Sequence, residues 1–456
     1  IRDLVRSRGL GDVYKRQSWS YGENGLTVKD NGAGWPNIAY SLETPLTVDV
    51  ANATLSYKIT NVNTAGNLAI LITLSDTEVI VPHRLFTDEG IDFAVVAPDD
   101  PLALGAVDAL QQAGIPCFGP DKKAAEIESS KVFSKNLMKK YGIPTAAFEV
   151  FDSEQKALSY LDSAPIPTVI KADGLALGKG VTLAYTREEA RAAVHAMMGE
   201  RVFGESGARI LIEEMLEGPE VSVLAFADGK RVVPMVSAMD HKRALDGDAG
   251  PNTGGMGAVA PNPYYTEEIA AVCMETIFVP TIKAMEQEGR PFRGCLYFGL
   301  MLTKDGPKVI EYNCRFGDPE TQAVLPLLES DLLDIMEATA NGTLDAAAVR
   351  FSDKASCCVV LASAGYPGKY ETGFALHLPA QQDHVSVFVA GAKLEDGALV
   401  TAGGRVAGVT AVDDTLEGAV HLAYQAAKDV AFQNKYCRND IGARALAARK
   451  GGAKPW

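Results

Sequence analysis

The sequence predicts a multidomain chain of α/β and α+β class, and three observations predict it. Its 456 residues suffice for two to four domains with a core each. An apolar run at 92–97, then Pro98-Asp-Asp-Pro101, a helix ending at Gly114 and a second apolar run from Ile115 to Phe118 make a βαβ rhythm. Strands and helices alternate from Thr145 to about Leu224, and a smaller α+β piece follows Arg350.

The elements follow in chain order. Residues 1–17 (IRDLVRSRGLGDVYKRQ) show no amphipathic period and read as a non-native tail. Residues 18–76 are rich in Asn, Gly, Thr and Ser. There Leu55, Tyr57 and Ile59 alternate with polar residues, and 67–74 is a second strand candidate, so the segment reads as β-rich. The run 92–97 is continuous and apolar, as in a buried parallel strand. At 129–141, Phe133, Leu137 and Tyr141 fall on one helical face, with Lys139 and Lys140 in the last turn and Gly142 just beyond. Asp318-Pro319 reads as a cap and first residue of a helix, and Asn341-Gly342 as a helix end. Residues 385–390 and 405–412 read as strands, followed by an amphipathic helix after Asp414-Thr415.

Composition narrows function. A formal net charge of −15 argues against nucleic-acid or anionic-membrane binding, though local lysines can still hold phosphate. Seven cysteines without a C-x-x-C pair do not read as a disulfide frame or a zinc site. Cys357 and Cys358 lie in an apolar run and read as buried thiols of a cytoplasmic protein. No apolar stretch is long enough to span a bilayer, and the basic first residues lack the apolar core of a secretory signal.

Four stretches carry chemistry. KADGLALGKGV (171–181) puts a glycine-rich loop between two strands, with Lys171 and Lys179 for charge and Gly178 and Gly180 for close backbone approach to a polyphosphate. It is not a Walker A loop, because Gly180 stands where Ser or Thr belongs; alone, it could be a mobile surface turn. Glu213, Glu214, Leu216 and Glu220 follow a strand and suit an adenosine site, where backbone groups read the base and an acid holds the ribose; alone, they read as a solvated acidic turn. Asp240, Lys242 and Arg243, then Gly254, Gly255, Met256 and Gly257, suggest a loop that closes over an anionic substrate, with His241 structural. Glu311, Asn313 and Arg315 alternate along one strand and so share a face. An acid and an amide oxygen fit a hard cation, and the guanidinium fits a phosphoryl or carboxylate group.

Together with GIPCFGP (114–120), SSKVFSK (129–135), IEEMLEG (212–218), SAGYPG (363–368), TAGGRV (401–406) and RNDIGARAL (438–446), these stretches resemble the phosphoribosylamine–glycine ligase family from about Ile91 onward. The resemblance implies an ATP-grasp core at 122–347 and a small C-terminal α+β domain at 348–450. It implies ATP, glycine and 5-phosphoribosylamine as substrates of a cytoplasmic monomer. Lys131, Lys171, Glu213, Glu214, Leu216 and Glu220 would then contact ATP. Glu311 and Asn313 would hold Mg²⁺ or Mn²⁺, Arg315 would stabilise the transferring phosphoryl, and Asp318 would join the substrate loop. The family's opening strand and Gly-Arg-Glu-His loop have no counterpart in residues 1–76, and its Gly-Pro-Glu becomes Ala97-Pro98-Asp99. The expectation is therefore a truncated N-terminal α/β layer with a remnant at 77–121. Competing readings are another ATP-grasp carboxylate–amine ligase, or an inactive chimera of a β-rich binding module with a ligase fragment.

Overall fold

A computed structural model of the chain describes residues 91–176 and 180–451, and of residues 1–90 only the backbone of six short strands. Four of these, Gln17–Gly22, Gly25–Asp30, Tyr40–Ser41 and Lys58–Ile59, pair antiparallel in that order. Ile72–Ser75 pairs with Glu78–Ile80. The tail at 1–16 lies outside the described residues.

The βαβ unit is present and shorter than the sequence suggests. Ala94–Val95 pairs parallel with Cys117–Phe118. The run 92–97 is not a buried strand: Val95 is 43% exposed, and among the described residues its sheet has only two strands. The connecting helix is broken into Asp99–Leu104 and Ala106–Gln112 by Gly105 at φ +97, a conformation that only glycine adopts without strain.

The helix expected at 129–141 is present as Lys131–Tyr141 and follows a separate helix, Lys122–Ser129. Lys122–Ser129 is capped by Asp121, whose carboxylate accepts from the Ala124 N–H, and Lys131–Tyr141 is capped by the Ser130 hydroxyl. Gly142, at φ +68, ends the second helix. Two four-stranded antiparallel sheets follow. The first runs Val181–Ala184, Thr168–Ala172, Ile210–Glu214, Phe148–Phe151, with helices Glu154–Leu161 and Arg187–Val194 supplying its core. The second runs Val232–Pro234, Glu220–Asp228, Arg293–Thr303, Gly306–Asn313. Val223, Phe298 and Tyr312 bury one of its faces against Phe278 and Ile282, while Leu224, Phe226 and Tyr297 bury the other against Ile335 and Met336.

Asp318-Pro319 does not open a helix as a cap and first residue. The helix is Glu320–Val324, and its N-cap position is Pro319, without a side-chain cap bond. The Asp318 carboxylate instead accepts from Gln322 Nε2 at 2.8 Å and from Arg405 Nη2 at 2.8 Å.

The C-terminal sheet is shared across the expected boundary at 348. Its order is Met239–Asp240, Gly257–Ala260, Ala355–Ser363, Arg405–Asp413, Val385–Val389, with Lys435–Tyr436 also on Ala355–Ser363. Helix Leu416–Asp429 packs on it through Ala419, Ala423 and Ala426. The first two strands come from upstream of residue 348, so the whole excursion 241–256 hangs from this sheet. Cys357 and Cys358 are fully buried in its central strand, as expected. No helix among the described residues is long and apolar enough to cross a membrane.

Candidate active site

Strand Thr168–Ala172 is buried along its whole length, yet it carries Lys171. Lys171 pairs in register with Leu211, so Glu213, two residues along the same strand, lies diagonally on the same face. Lys171 Nζ is 3.0 Å from Glu213 Oε2 and donates to the Ile310 carbonyl at 3.1 Å. Lys135, one turn beyond Lys131 on its helix, is 2.9 Å from the same Glu213 oxygen and donates to Thr145 Oγ1 at 2.8 Å. Two ammonium groups thus share one carboxylate out of water. Burial pulls Lys135 down to about 8, against the attraction of Glu213. The other oxygen, Glu213 Oε1, is buried with no hydrogen-bond partner among the described residues. A buried acceptor of this kind needs a donor, and a bound ligand can supply it.

Lys131 donates to the Gly174 carbonyl at 3.1 Å, and its ammonium is lowered by burial against the pull of Glu311. Asp173 fixes this corner. One of its oxygens accepts from Ser130 Oγ at 2.9 Å and Val132 N–H at 2.7 Å, and the other is held by Arg209. The glycine-rich loop is thereby tied to the helix that bears Lys131. Gly180 lies close to Ala176, where an added Cβ would meet Ala176 Cβ at 2.7 Å. Gly178 and Lys179 lie outside the described residues.

Glu311 and Asn313 share a face of Gly306–Asn313, while Tyr312 turns into the core and meets Thr281 Oγ1 at 2.9 Å. Gly299 stands opposite Glu311; a Cβ there would sit 3.1 Å from Glu311 Cγ. The strand ends at Asn313, so Arg315 lies just beyond it, with its guanidinium 3.5 Å from Glu128 and 4.0 Å from Asp99. Glu128 is held in turn by the Cys314 N–H at 2.7 Å and Sγ at 2.9 Å, and burial pushes its carboxyl up. Among the described residues no group of three or more acids, histidines or cysteines could hold a metal by itself. Glu311 and Asn313 offer hard oxygens that fit a cation whose remaining ligands are phosphate and water.

The other expected residues divide. Glu214 accepts from the Ala147 N–H at 3.0 Å and pairs with Lys308 at 3.1 Å at the rim. Leu216 is half-buried in the turn that follows. Glu220 pairs with Lys242 at 2.8 Å, and that ammonium lowers its carboxyl. Asp240 accepts from the His241 N–H at 2.7 Å; burial and the Glu320 carboxylate raise its carboxyl. Glu320 is itself buried and accepts from Tyr297 Oη at 2.9 Å and Ser222 Oγ at 3.2 Å. Arg243 donates to the Gly250 carbonyl at 2.8 Å within the hairpin of Arg243–Leu245 with Ala249–Asn252. Gly254 and Gly255 form the adjoining loop. Met256 and Gly257 are packed closely against the C-terminal sheet. Met256 is fully buried with its N–H on the His241 carbonyl, and a Cβ on Gly257 would meet Cys358 O at 2.6 Å.

Sequence reasoning missed Lys135, Glu128, Tyr297, Glu320 and Arg405 as site residues. The spacing of Lys131 and Lys135, four apart on one helix, was a usable signal.

Two antiparallel sheets, a glycine-rich loop tied to buried lysines, and an acid–amide pair on the facing strand define an ATP-grasp ligase. Three family models match the chain: "Phosphoribosylglycinamide synthetase" N domain at residues 43–128, ATP-grasp (A) domain at 129–321 and C domain at 356–444. The N-domain match begins upstream of residue 77, where the sequence reading opened that domain. The chain is 46% identical over 378 residues to the phosphoribosylamine–glycine ligase of Caldanaerobacter subterraneus, covering 83% of this chain and 91% of the relative. It is 48% identical to that of Salmonella typhimurium, covering 78% and 84%. The crystal structure of phosphoribosylamine–glycine ligase from Thermotoga maritima superposes with a TM-score of 0.67 at 39% identity, covering 71% of this chain and 81% of that one. Biotin carboxylase from Campylobacter jejuni, at 14% identity and a TM-score of 0.64, shares the fold. The chain belongs to the phosphoribosylamine–glycine ligase family.

Proposed function

We propose that this chain joins glycine to 5-phosphoribosylamine with ATP, giving glycinamide ribonucleotide, ADP and phosphate; its relatives are named phosphoribosylamine–glycine ligases. The observation that carries the reading is the reach of Lys171 from the first sheet to the Ile310 carbonyl, next to Glu311 on the second. That contact brings phosphate-binding charge and cation-binding oxygens together. Lys131 and Lys171 hold the ATP phosphates, with Glu213, Glu214, Leu216 and Glu220 around the nucleoside and Lys179 and the glycines Gly178 and Gly180 over the phosphates. Glu311 and Asn313 hold Mg²⁺, with Mn²⁺ able to replace it, and the cation when bound neutralises phosphate charge.

The glycine carboxylate attacks the γ-phosphorus. The bond to the β,γ-bridging oxygen breaks, ADP leaves and glycyl phosphate forms. The phosphoribosylamine nitrogen then attacks the acyl carbon, phosphate leaves and the amine gives up a proton. Asp240, Lys242, Arg243, Gly254, Gly255 and Asp318 shape the substrate side, and Arg315, held by Glu128, serves the transferring phosphoryl. Positioning and charge neutralisation supply the rate, with no protein nucleophile. We further infer a cytoplasmic monomer with an ATP-grasp region at about 122–347. The test is mass spectrometry of products from ATP, glycine and phosphoribosylamine. A nucleotide product that requires all three supports the reading, and ADP release indifferent to glycine overturns it.

A further inference from the structure

Two motifs of the C-terminal part, SAGYPG and TAGGRV, have no role in the chemistry above, yet both converge on one loop. Arg405 reaches out of the C-terminal sheet. Its Nη1 donates to the carbonyls of Gly254 at 2.9 Å, Asp318 at 3.0 Å and Gly255 at 3.4 Å, and its Nη2 to Asp318 Oδ2 at 2.8 Å. Tyr366 Oη accepts from the Gly254 N–H at 3.2 Å. Gly254 is therefore held at both its backbone groups by side chains of the C-terminal domain. The glycines of TAGGRV make this possible. A Cβ on Gly404 would lie 2.2 Å from the Tyr366 ring, and one on Gly403 would lie 2.9 Å from Gly391 Cα. A Cβ on Gly254 would meet the Arg405 guanidinium at 2.9 Å. The hairpin before this loop is anchored from the same domain. Arg438, almost wholly buried, donates to the Arg243 carbonyl at 3.0 Å and to Asp248 Oδ1 at 2.9 Å.

We infer that Arg405, assisted by Tyr366, is a positioning residue that locks Gly254, Gly255 and Asp318 into one substrate-facing edge, so that the C-terminal domain completes the acceptor side of the site. The inference rests on the ligase reading for what that edge binds, and on geometry alone for the lock. A planar guanidinium can span three carbonyls and a carboxylate at once, and a lysine ammonium of the same charge cannot. Geometry, not charge, is the working property of Arg405.

The experiment compares wild type, Arg405→Lys, Arg405→Ala and Tyr366→Phe by hydrogen exchange of the 250–257 peptide, by Mg-ATP thermal stabilisation and by glycine-dependent turnover. The lock predicts roughly tenfold or faster exchange at 250–257 in both Arg405 variants, with the sheet strands 355–363 unchanged. It predicts turnover lower by about 10–100-fold, as for a small misplacement of reacting groups. Tyr366→Phe shows the same pattern more weakly, and Mg-ATP stabilisation persists in all. Full turnover in Arg405→Lys would overturn the inference, because charge alone would then suffice. So would lost turnover with unchanged exchange, which makes Arg405 a direct substrate contact, and so would faster exchange with full turnover. If Arg405→Ala does not fold, the Lys and Phe variants decide the question. If wild type shows no ligase activity, the ligase reading fails while the exchange data still decide the lock.

Discussion

The Lys135–Glu213–Lys171 cluster allows a prediction of opposite signs for two neighbouring substitutions. All three side chains are 5% exposed or less. Holding Lys135 charged in this surrounding lowers its pKa from 10.5 to about 8. That shift corresponds to ~3 kcal/mol of destabilisation at neutral pH. Lys135→Met removes the burdened charge and forfeits contacts to Thr145 and Glu213 that contribute about 1 kcal/mol each. The expected result is a chain between unchanged and ~3 kcal/mol more stable, with weaker Mg-ATP stabilisation because a cation near the phosphates is gone. Glu213→Gln leaves two buried ammonium groups without their counter-charge and destabilises by about 3–5 kcal/mol. Urea unfolding at pH 7, monitored by circular dichroism with and without Mg-ATP, gives both values. A Lys135→Met chain less stable than wild type by more than about 1 kcal/mol refutes the reasoning, as does a neutral Glu213→Gln.

Two further outcomes follow from the site. Glu311→Ala should leave the melting temperature of the unliganded chain within a few degrees and abolish ATP turnover, because the side chain is half-exposed and makes its contribution through the cation; retained turnover at ordinary Mg²⁺ refutes the assignment. His241 should make the fold acid-sensitive. Its Nδ1 faces the Gly257 carbonyl at 3.2 Å and its Nε2 accepts from the Gly442 N–H at 3.2 Å, an arrangement that suits the neutral ring. Burial, with Arg438 and Arg444 nearby, pulls it down to about 4. The unfolded chain binds the proton more tightly, so stability is full above about pH 6.5 and falls toward pH 4, by roughly 3 kcal/mol in all. Denaturation from pH 4 to 7 checks this, and His241→Asn should flatten the slope.

What the sequence made legible was local and periodic. Glu311 and Asn313 could be paired because a strand alternates its faces, and Lys171 could be placed because an apolar run led into glycines. The same periodicity did not reach Arg315, which lies just beyond the strand's end at Asn313 with its guanidinium 3.5 Å from Glu128, almost two hundred positions upstream. The run 92–97 was apolar enough for a buried strand, but burial depends on neighbours that its own letters do not specify. Gly254, Gly255 and Met256 read as a substrate loop by composition. Their actual partners, Arg405, Tyr366 and the sheet strand Ala355–Ser363, lie on chain far beyond them. Family resemblance supplied roles across those distances; spacing could not.

The most direct test of the central claim follows the fate of ATP's γ-phosphate with and without glycine, in wild type and Glu311→Ala. The account predicts ADP release that depends on glycine, a product whose mass equals phosphoribosylamine plus glycine less water when the amine is added, and neither in the variant. ADP release independent of glycine, or a joined product formed equally well by Glu311→Ala, would contradict it.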